Sequence, residues 1–169
     1  MKEVKIIHLL WKEFNWDDTE LTKIEMGKKH GIYQIYGDHP IYGKDTLLYI
    51  GKTKKGTYLK RLFNHQDFID THLTKFTKVH LSNFLKNNDV KSKNLDEHID
   101  LVEKLLINSH CPAYNSSGIK GVMNEETFKQ ELLILNWGER GQLLPEVSSL
   151  RYSYHYWNAE VIDFEKSIL

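Results

Sequence analysis

The sequence predicts an α+β fold in which a small antiparallel three-stranded sheet is flanked by helices. Three observations point there. Two segments rich in Ile, Leu and Tyr, His30 to Tyr36 and Leu47 to Gly51, are separated by the turn formers Gly37-Asp38-His39-Pro40 and Gly43-Lys44-Asp45, as in a hairpin. Thr74 to Leu81, with Phe76, Val79 and Leu81, offers a third strand. Apolar residues then recur at helical spacing after Thr57 and again after Asn94.

Residues 1–27 form an N-terminal extension in which Val4, Ile7, Leu10, Trp11 and Phe14 recur every three or four positions. That spacing predicts one face of a short amphipathic helix, with a short strand over Val4 to Leu9 as the other solution. Trp11 and Trp16 are expected to pack rather than to bind.

After the hairpin comes a basic loop, Lys52-Thr53-Lys54-Lys55-Gly56-Thr57, whose Thr57 is placed to cap the next helix. Tyr58, Leu59, Leu62, Phe63 and Ile69 mark the apolar face of that helix. Lys60, Arg61 and His65 fall outside the face, and Arg61 and His65, four apart, share one side. Lys75 and Lys78 continue the basic stripe along the third strand, and Lys86 to Lys93 reads as a polar connection.

From Asn94 onward Leu95, Ile99, Val102, Leu105 and Leu106 line one side of a second helix that opens with acidic residues. Glu103 sits beside that stripe, while Asp96, Glu97 and Asp100 read as solvated or helix-start charges. Pro112 then fixes the chain direction, and Asn115 supplies a local hydrogen-bonding amide in a structural role. Residues 119–169 read as an acidic C-terminal extension packed on or beside the core. In it Glu131 to Trp137 is a strand or a short helix, and Tyr152, Tyr154 and Tyr156 alternate as on one strand face.

The 169 residues suffice for one packed domain with appendages, and a charged fraction of 27% argues against a disordered chain when 40% of residues are apolar. The apolar run Ile6 to Trp11 is too short to span a membrane and lacks a small-residue cleavage site, so the chain reads as cytoplasmic, with no membrane partner. Cys111, the only cysteine, excludes an intramolecular disulfide and a cysteine-rich zinc site. Lys/Arg and Asp/Glu balance at 23 each, but residues 52–93 carry ten basic against three acidic residues. Phosphate responds to such a local patch rather than to the total.

Taken in order, Gly31-Ile32-Tyr33, Tyr49-Ile50-Gly51, Arg61-x-x-x-His65, the helical Glu103 and Asn115 resemble the GIY-YIG nuclease superfamily over roughly residues 28–118. The fifteen residues between Tyr33 and Tyr49 depart from the compact pattern and indicate a lengthened loop. The resemblance implies a GIY-YIG-like nuclease domain, a metal-dependent endonuclease that hydrolyses DNA phosphodiester bonds with one Mg²⁺ or Mn²⁺ per active site. It implies catalytic roles for Tyr33, Tyr49, Arg61, His65 and Glu103, with Glu103 also holding the metal. Lys52, Lys54, Lys55 and Lys60 would contact substrate, and Gly31, Gly51 and Asn115 would support the site.

The side-chain chemistry suits these roles. Phenolic hydroxyls both donate and accept hydrogen bonds and can orient a water, although a phenol acting as base needs cationic neighbours. A guanidinium engages two phosphate oxygens, and a histidine moves a proton near neutral pH. Magnesium takes as few as one or two protein carboxylates. The biological setting, restriction-type or repair-type, and the state, monomer or homodimer, stay open. The alternatives are a non-catalytic DNA-binding or assembly module with the same fold, and a nuclease acting on branched DNA or RNA.

Overall fold

The computed structural model describes residues 4–17, 30–54, 57–69, 74–85, 95–115 and 131–150. Its strands are β1 (Val4–Asn15), β2 (Gly31–His39), β3 (Gly43–Thr53), β4 (Lys75–Phe84), β5 (Glu131–Gly138) and β6 (Glu146–Ser148), and its helices are α1 (Tyr58–Ile69) and α2 (Leu95–His110). The strands form one six-stranded sheet in the order β3-β2-β4-β1-β5-β6. Only β1 and β5 run parallel; the other neighbours are antiparallel. This corrects the sequence expectation of a small three-stranded antiparallel sheet flanked by helices. The three expected strands make up one half of a mixed sheet twice that size, and β1, β5 and β6 make up the other.

The error lies mainly in β1, where a short amphipathic helix was expected with a short strand over Val4 to Leu9 as the other solution; the strand runs Val4–Asn15. Its stretch Val4 to Trp11 carries apolar residues at adjacent as well as alternate positions, Ile6-Ile7 and Leu9-Leu10-Trp11, so it also satisfies a helical template, although Val4 and Leu10 stay exposed in the strand. In the sheet Ile7, Leu9 and Trp11 are buried at alternate positions. Glu131–Gly138 resolves the other open choice as a strand.

Each face of the sheet carries its own core. On one face Ile7, Leu9, Trp11, Ile32 and Ile50 pack with Ile99, Val102, Leu105 and Leu106 of α2. On the other Tyr33, Ile35, Leu48, Val79 and Leu81 pack with Tyr58 and Leu62 of α1. Burying one such aliphatic side chain fully stabilises the fold by about 1.5–3 kcal/mol, so these two helices are fixed to the sheet by packing more than by helix propensity. Thr57 accepts the Lys60 amide at 3.4 Å and caps α1. The side chains of Phe63, His65 and Ile69 lie outside the described residues, as do Lys55, the connection 86–94 and Tyr152, Tyr154 and Tyr156.

A β-bulge puts two successive residues of β3 on one face. Ile35 pairs with Tyr49 and Tyr36 with Leu47, leaving Leu48 as an extra residue on β3. Leu48 and Tyr49 therefore both belong to the α1 side, whereas Ile50 returns to the α2 side. Tyr33 and Tyr49 share a face through the unbroken pairs Tyr33–Gly51, Gln34–Ile50 and Ile35–Tyr49, and the bulge beyond them adds Leu48 to that face.

The outer edge of β3 is closed by the chain leaving α2. Cys111 ends the helix at φ 46°, its amide donating to Ile107 O at 2.8 Å. Ala113 and Tyr114 then donate to Leu47 O and Leu48 O. No helix among the described residues is long and apolar enough to cross a membrane.

Candidate active site

Ile32 and Ile50, the central residues of the two tripeptides, are held in the same way. Asn115 is buried, accepts the Ile50 amide on Oδ1 at 2.8 Å and donates from Nδ2 to Ile50 O at 2.8 Å. Its side chain thus replaces a missing neighbour strand. Ser82 serves Ile32 likewise, its hydroxyl accepting from the Ile32 amide at 3.0 Å and donating to Ile32 O at 2.9 Å. Since unpaired buried backbone groups are costly, both side chains are supports of the tripeptides.

The two glycines make room for two tyrosines. A Cβ on Gly31 would lie 1.5 Å from the Tyr58 hydroxyl, which donates to Ser82 O at 2.9 Å. A Cβ on Gly51 would meet the Tyr33 ring and hydroxyl at 2.3–2.4 Å. Tyr33 faces Gly51 across the strand pair, so its ring lies flat over bare backbone. Tyr33 and Tyr49 then stack, with centroids 6.2 Å apart and planes at 26°, and Tyr58 meets Tyr33 edge-on at 6.1 Å.

On the α2 side of the same strand, Lys52 reaches into the helix. Its ammonium lies 2.5 Å from Glu103 Oε2 and 2.9 Å from Asp100 Oδ1, and Lys54 takes the other oxygen of Asp100. The Glu103 side chain is 16% exposed and that of Asp100 46%, so Glu103 forms the floor of the cluster and Asp100 its rim. Glu103 and Asp100 are three apart on α2 and so share a helix face.

These groups form one electrostatic unit although they come from opposite faces, because β3 is the edge strand and charges approach around it. Burial first, then the Tyr49 phenol and the Glu103 carboxylate, push the Tyr33 hydroxyl far above its ordinary value, and Arg61 pulls the other way. Tyr49 is pushed up by burial and by Glu103, against Lys52 and Arg61. Burial also raises Glu103, opposed by its hydrogen bond from Lys52. For Lys52 burial disfavours the charge, but the bonds to Glu103 and Asp100 outweigh it and raise the ammonium. Burial opposes ionisation of Asp100 too, and Lys54 and Lys52 overcome it to hold the carboxyl low.

The structure thus gathers Tyr33, Tyr49, Lys52, Lys54, Arg61 and Glu103 at one edge. Arg61 is exposed in the first turn of α1, and its charge acts on both phenols. Lys60 is exposed on the same turn. His65 lies one turn after Arg61 on α1, its side chain outside the described residues. Sequence reasoning took Asp100 for a solvated or helix-start charge; its place three residues before Glu103 on one amphipathic helix was the available signal. It gave Tyr58 only a packing role and did not single out Ser82, since no spacing rule connects the two.

Among the described residues no group of three or more His, Cys, Asp or Glu side chains gathers as a metal cage. The two carboxylates that meet here, Glu103 and Asp100, are bonded to the ammonium groups of Lys52 and Lys54. Compared with protein-family models, curated proteins and solved structures, the chain matches none.

Proposed function

We propose that the protein is a phosphodiester hydrolase acting on DNA as a divalent-metal-dependent endonuclease of the GIY-YIG type, with the scissile phosphate at the β3 edge. The observation that carries this reading is that Glu103 and Arg61, from different helices, act electrostatically on the same stacked pair, Tyr33 and Tyr49. Nothing in packing requires a cation, a carboxylate and two phenols to share one sheet edge, whereas phosphoryl transfer uses each of them.

Hydrolysis forms one P–O bond to water and breaks one P–O ester bond. Tyr33 is a neutral phenol in this environment, so its part is to orient the attacking water by hydrogen bonding rather than to remove its proton. Tyr49 is the one of the two to accept that proton, since Lys52 and Arg61 both favour its phenolate against burial and Glu103. Arg61, exposed beside the phenols, places a permanent charge on the phosphoryl oxygens as negative charge builds there. Glu103 would hold the divalent ion, which when bound stabilises the departing oxyanion and supplies a water to protonate it. Lys52 and Lys54 neutralise the carboxylates and, with Lys60, favour the approach of a polyanion.

One observation favours the rival, a DNA-binding module without catalysis: both phenols are pushed up, away from the phenolate form. Incubating the protein with supercoiled plasmid and with matched branched DNA, single-stranded DNA and RNA, in Mg²⁺ or in EDTA, decides between them. Scission in Mg²⁺ alone supports the nuclease. Salt-sensitive binding without scission of any substrate supports the module.

A further inference from the structure

The lengthened connection between β2 and β3 has no task in the reading just given, on whose nucleic-acid partner this inference rests. Its tip is an ordered turn. His39 accepts the amides of both Ile41 and Tyr42 on Nδ1, each at 3.1 Å, and Gly43 closes the turn at a φ of 94°. The turn nevertheless holds two large apolar side chains in solvent, Ile41 at 80% exposed and Tyr42 at 67%.

Tyr42 is the outermost of three rings in series. It stacks on His39, with centroids 4.6 Å apart and planes at 26°, and His39 in turn meets Tyr114 at 5.2 Å. Tyr114 is anchored: its hydroxyl shares a 2.7 Å hydrogen bond with Thr74, and its ring packs, like that of Tyr49, against the cluster that holds Tyr33. The row therefore starts on the face that carries the two phenols and ends in a ring with one side on His39 and the other toward water. Since the inner rings are already fixed, a further planar group can stack on Tyr42 at little cost in ordering the protein.

Charge narrows what that group is. Asp45 is engaged by Lys78 at 3.6 Å and by the Thr77 hydroxyl, and Asp38 accepts the Asp45 amide. Lys44, two residues after Tyr42, and Lys75, which pairs with Asp38, are exposed and make no ion pair among the described residues. An open aromatic face near two uncompensated cations suits a nucleobase with its phosphates to either side. Inside a duplex both faces of each base are covered by its neighbours, so a base must be unpaired to take this place. We propose that Tyr42 is a stacking platform for an unpaired DNA base, and that the protein accordingly prefers DNA carrying a single-stranded tail or branch to continuous duplex.

The test is binding in EDTA, read by fluorescence anisotropy, of a blunt duplex and of the same duplex with a single-stranded tail, to the unaltered protein, Tyr42→Ala and Tyr42→Phe. The tailed DNA should bind about fivefold tighter or more, Tyr42→Ala should bring the two DNAs within about twofold of each other, and Tyr42→Phe, which keeps the ring, should preserve the preference. A 2-aminopurine placed among thymidines in the tail should lose fluorescence on binding to the unaltered protein and to Tyr42→Phe, and not on binding to Tyr42→Ala. Equal affinity of the unaltered protein for the two DNAs would overturn the platform, as would a preference that survives Tyr42→Ala or is lost in Tyr42→Phe. Binding of neither DNA would remove the nucleic-acid reading itself, and with it this role, a result distinct from duplex binding without preference.

Discussion

The ammonium of Lys52 on β3 lies 2.5 Å from Oε2 of Glu103 on α2, joining the end of an edge strand to the middle of a helix in one part-buried ion pair. Half-buried pairs of this kind constrain both partners: removing either leaves the other's charge desolvated. That constraint makes the two residues useful markers of what the site does.

The first expectation concerns Arg61. It is exposed, so Arg61→Ala should leave the unfolding free energy within about 0.5 kcal/mol of the unaltered protein. If Arg61 stabilises the transition state, kcat should fall roughly a hundred- to a thousandfold. Steady-state kinetics on a folded variant check it, and unaltered turnover would end the proposed role.

Asn115 should matter for stability and not for chemistry. Asn115→Ala leaves the Ile50 amide and carbonyl without their 2.8 Å partners, at about 1–3 kcal/mol for each group that water cannot reach. Urea denaturation measures the loss; a variant as stable as the parent would show that the edge re-solvates freely.

Gly31→Ala should be more disruptive than an ordinary glycine substitution in a strand. The new Cβ would fall 1.5 Å from the Tyr58 hydroxyl and 2.8 Å from its ring, so Tyr58 must leave its place on Ser82. Overpacking of this kind costs about 1–3 kcal/mol. Adding Tyr58→Phe should recover part of that cost, since the hydroxyl is the nearest atom but not the only one in contact. Full additivity of the two changes in thermal melts would exclude the contact as the cause.

Acid should loosen the β5–β6 connection. His80 Nδ1 lies 2.6 Å from Glu139 O, and His110 uses Nδ1 toward Leu106 O while Nε2 accepts the Leu144 amide at 2.9 Å. Burial lowers both imidazoles below the ordinary value near 6.5, outweighing backbone carbonyls that pull upward. Lys78 further lowers His80, while Glu13 and Glu139 oppose. With folded values depressed, the unfolded chain binds more protons below pH 6.5. Their contribution is therefore complete above that pH and declines as the pH falls below it toward the folded values. Unfolding midpoints between pH 7.5 and 5.5 should fall, and the slope should flatten in His110→Gln; a pH-independent midpoint would contradict the prediction.

Much of the half of the sheet around the tripeptides could be read from residues alone. Turn formers bracket β2 and β3, and Leu95, Ile99, Val102 and Leu106 have the spacing that puts α2 on the sheet. The other half was hidden for a physical reason. β1 carries apolar residues at adjacent as well as alternate positions, which blurs its strand period, and its partner β5 is more than a hundred residues away, so no local pattern announces the pairing. In the site, the residue types were legible and their partners were not. Lys52 reads as a phosphate contact in a basic loop, but the fold turns it onto Glu103 and Asp100. Tyr33 reads as a catalytic phenol, but burial on the α1 side of the sheet holds it in the neutral form.

The most direct measurement compares the unaltered protein with Glu103→Gln on supercoiled plasmid in Mg²⁺, beside EDTA and a gel-shift assay of duplex binding. Nicked and linear DNA from the unaltered protein alone, with EDTA abolishing it and the variant still folding and binding duplex, is the expected result. Equal cleavage by Glu103→Gln, or no cleavage by either protein of plasmid, branched DNA or RNA, would contradict a metal-dependent nuclease centred on Glu103.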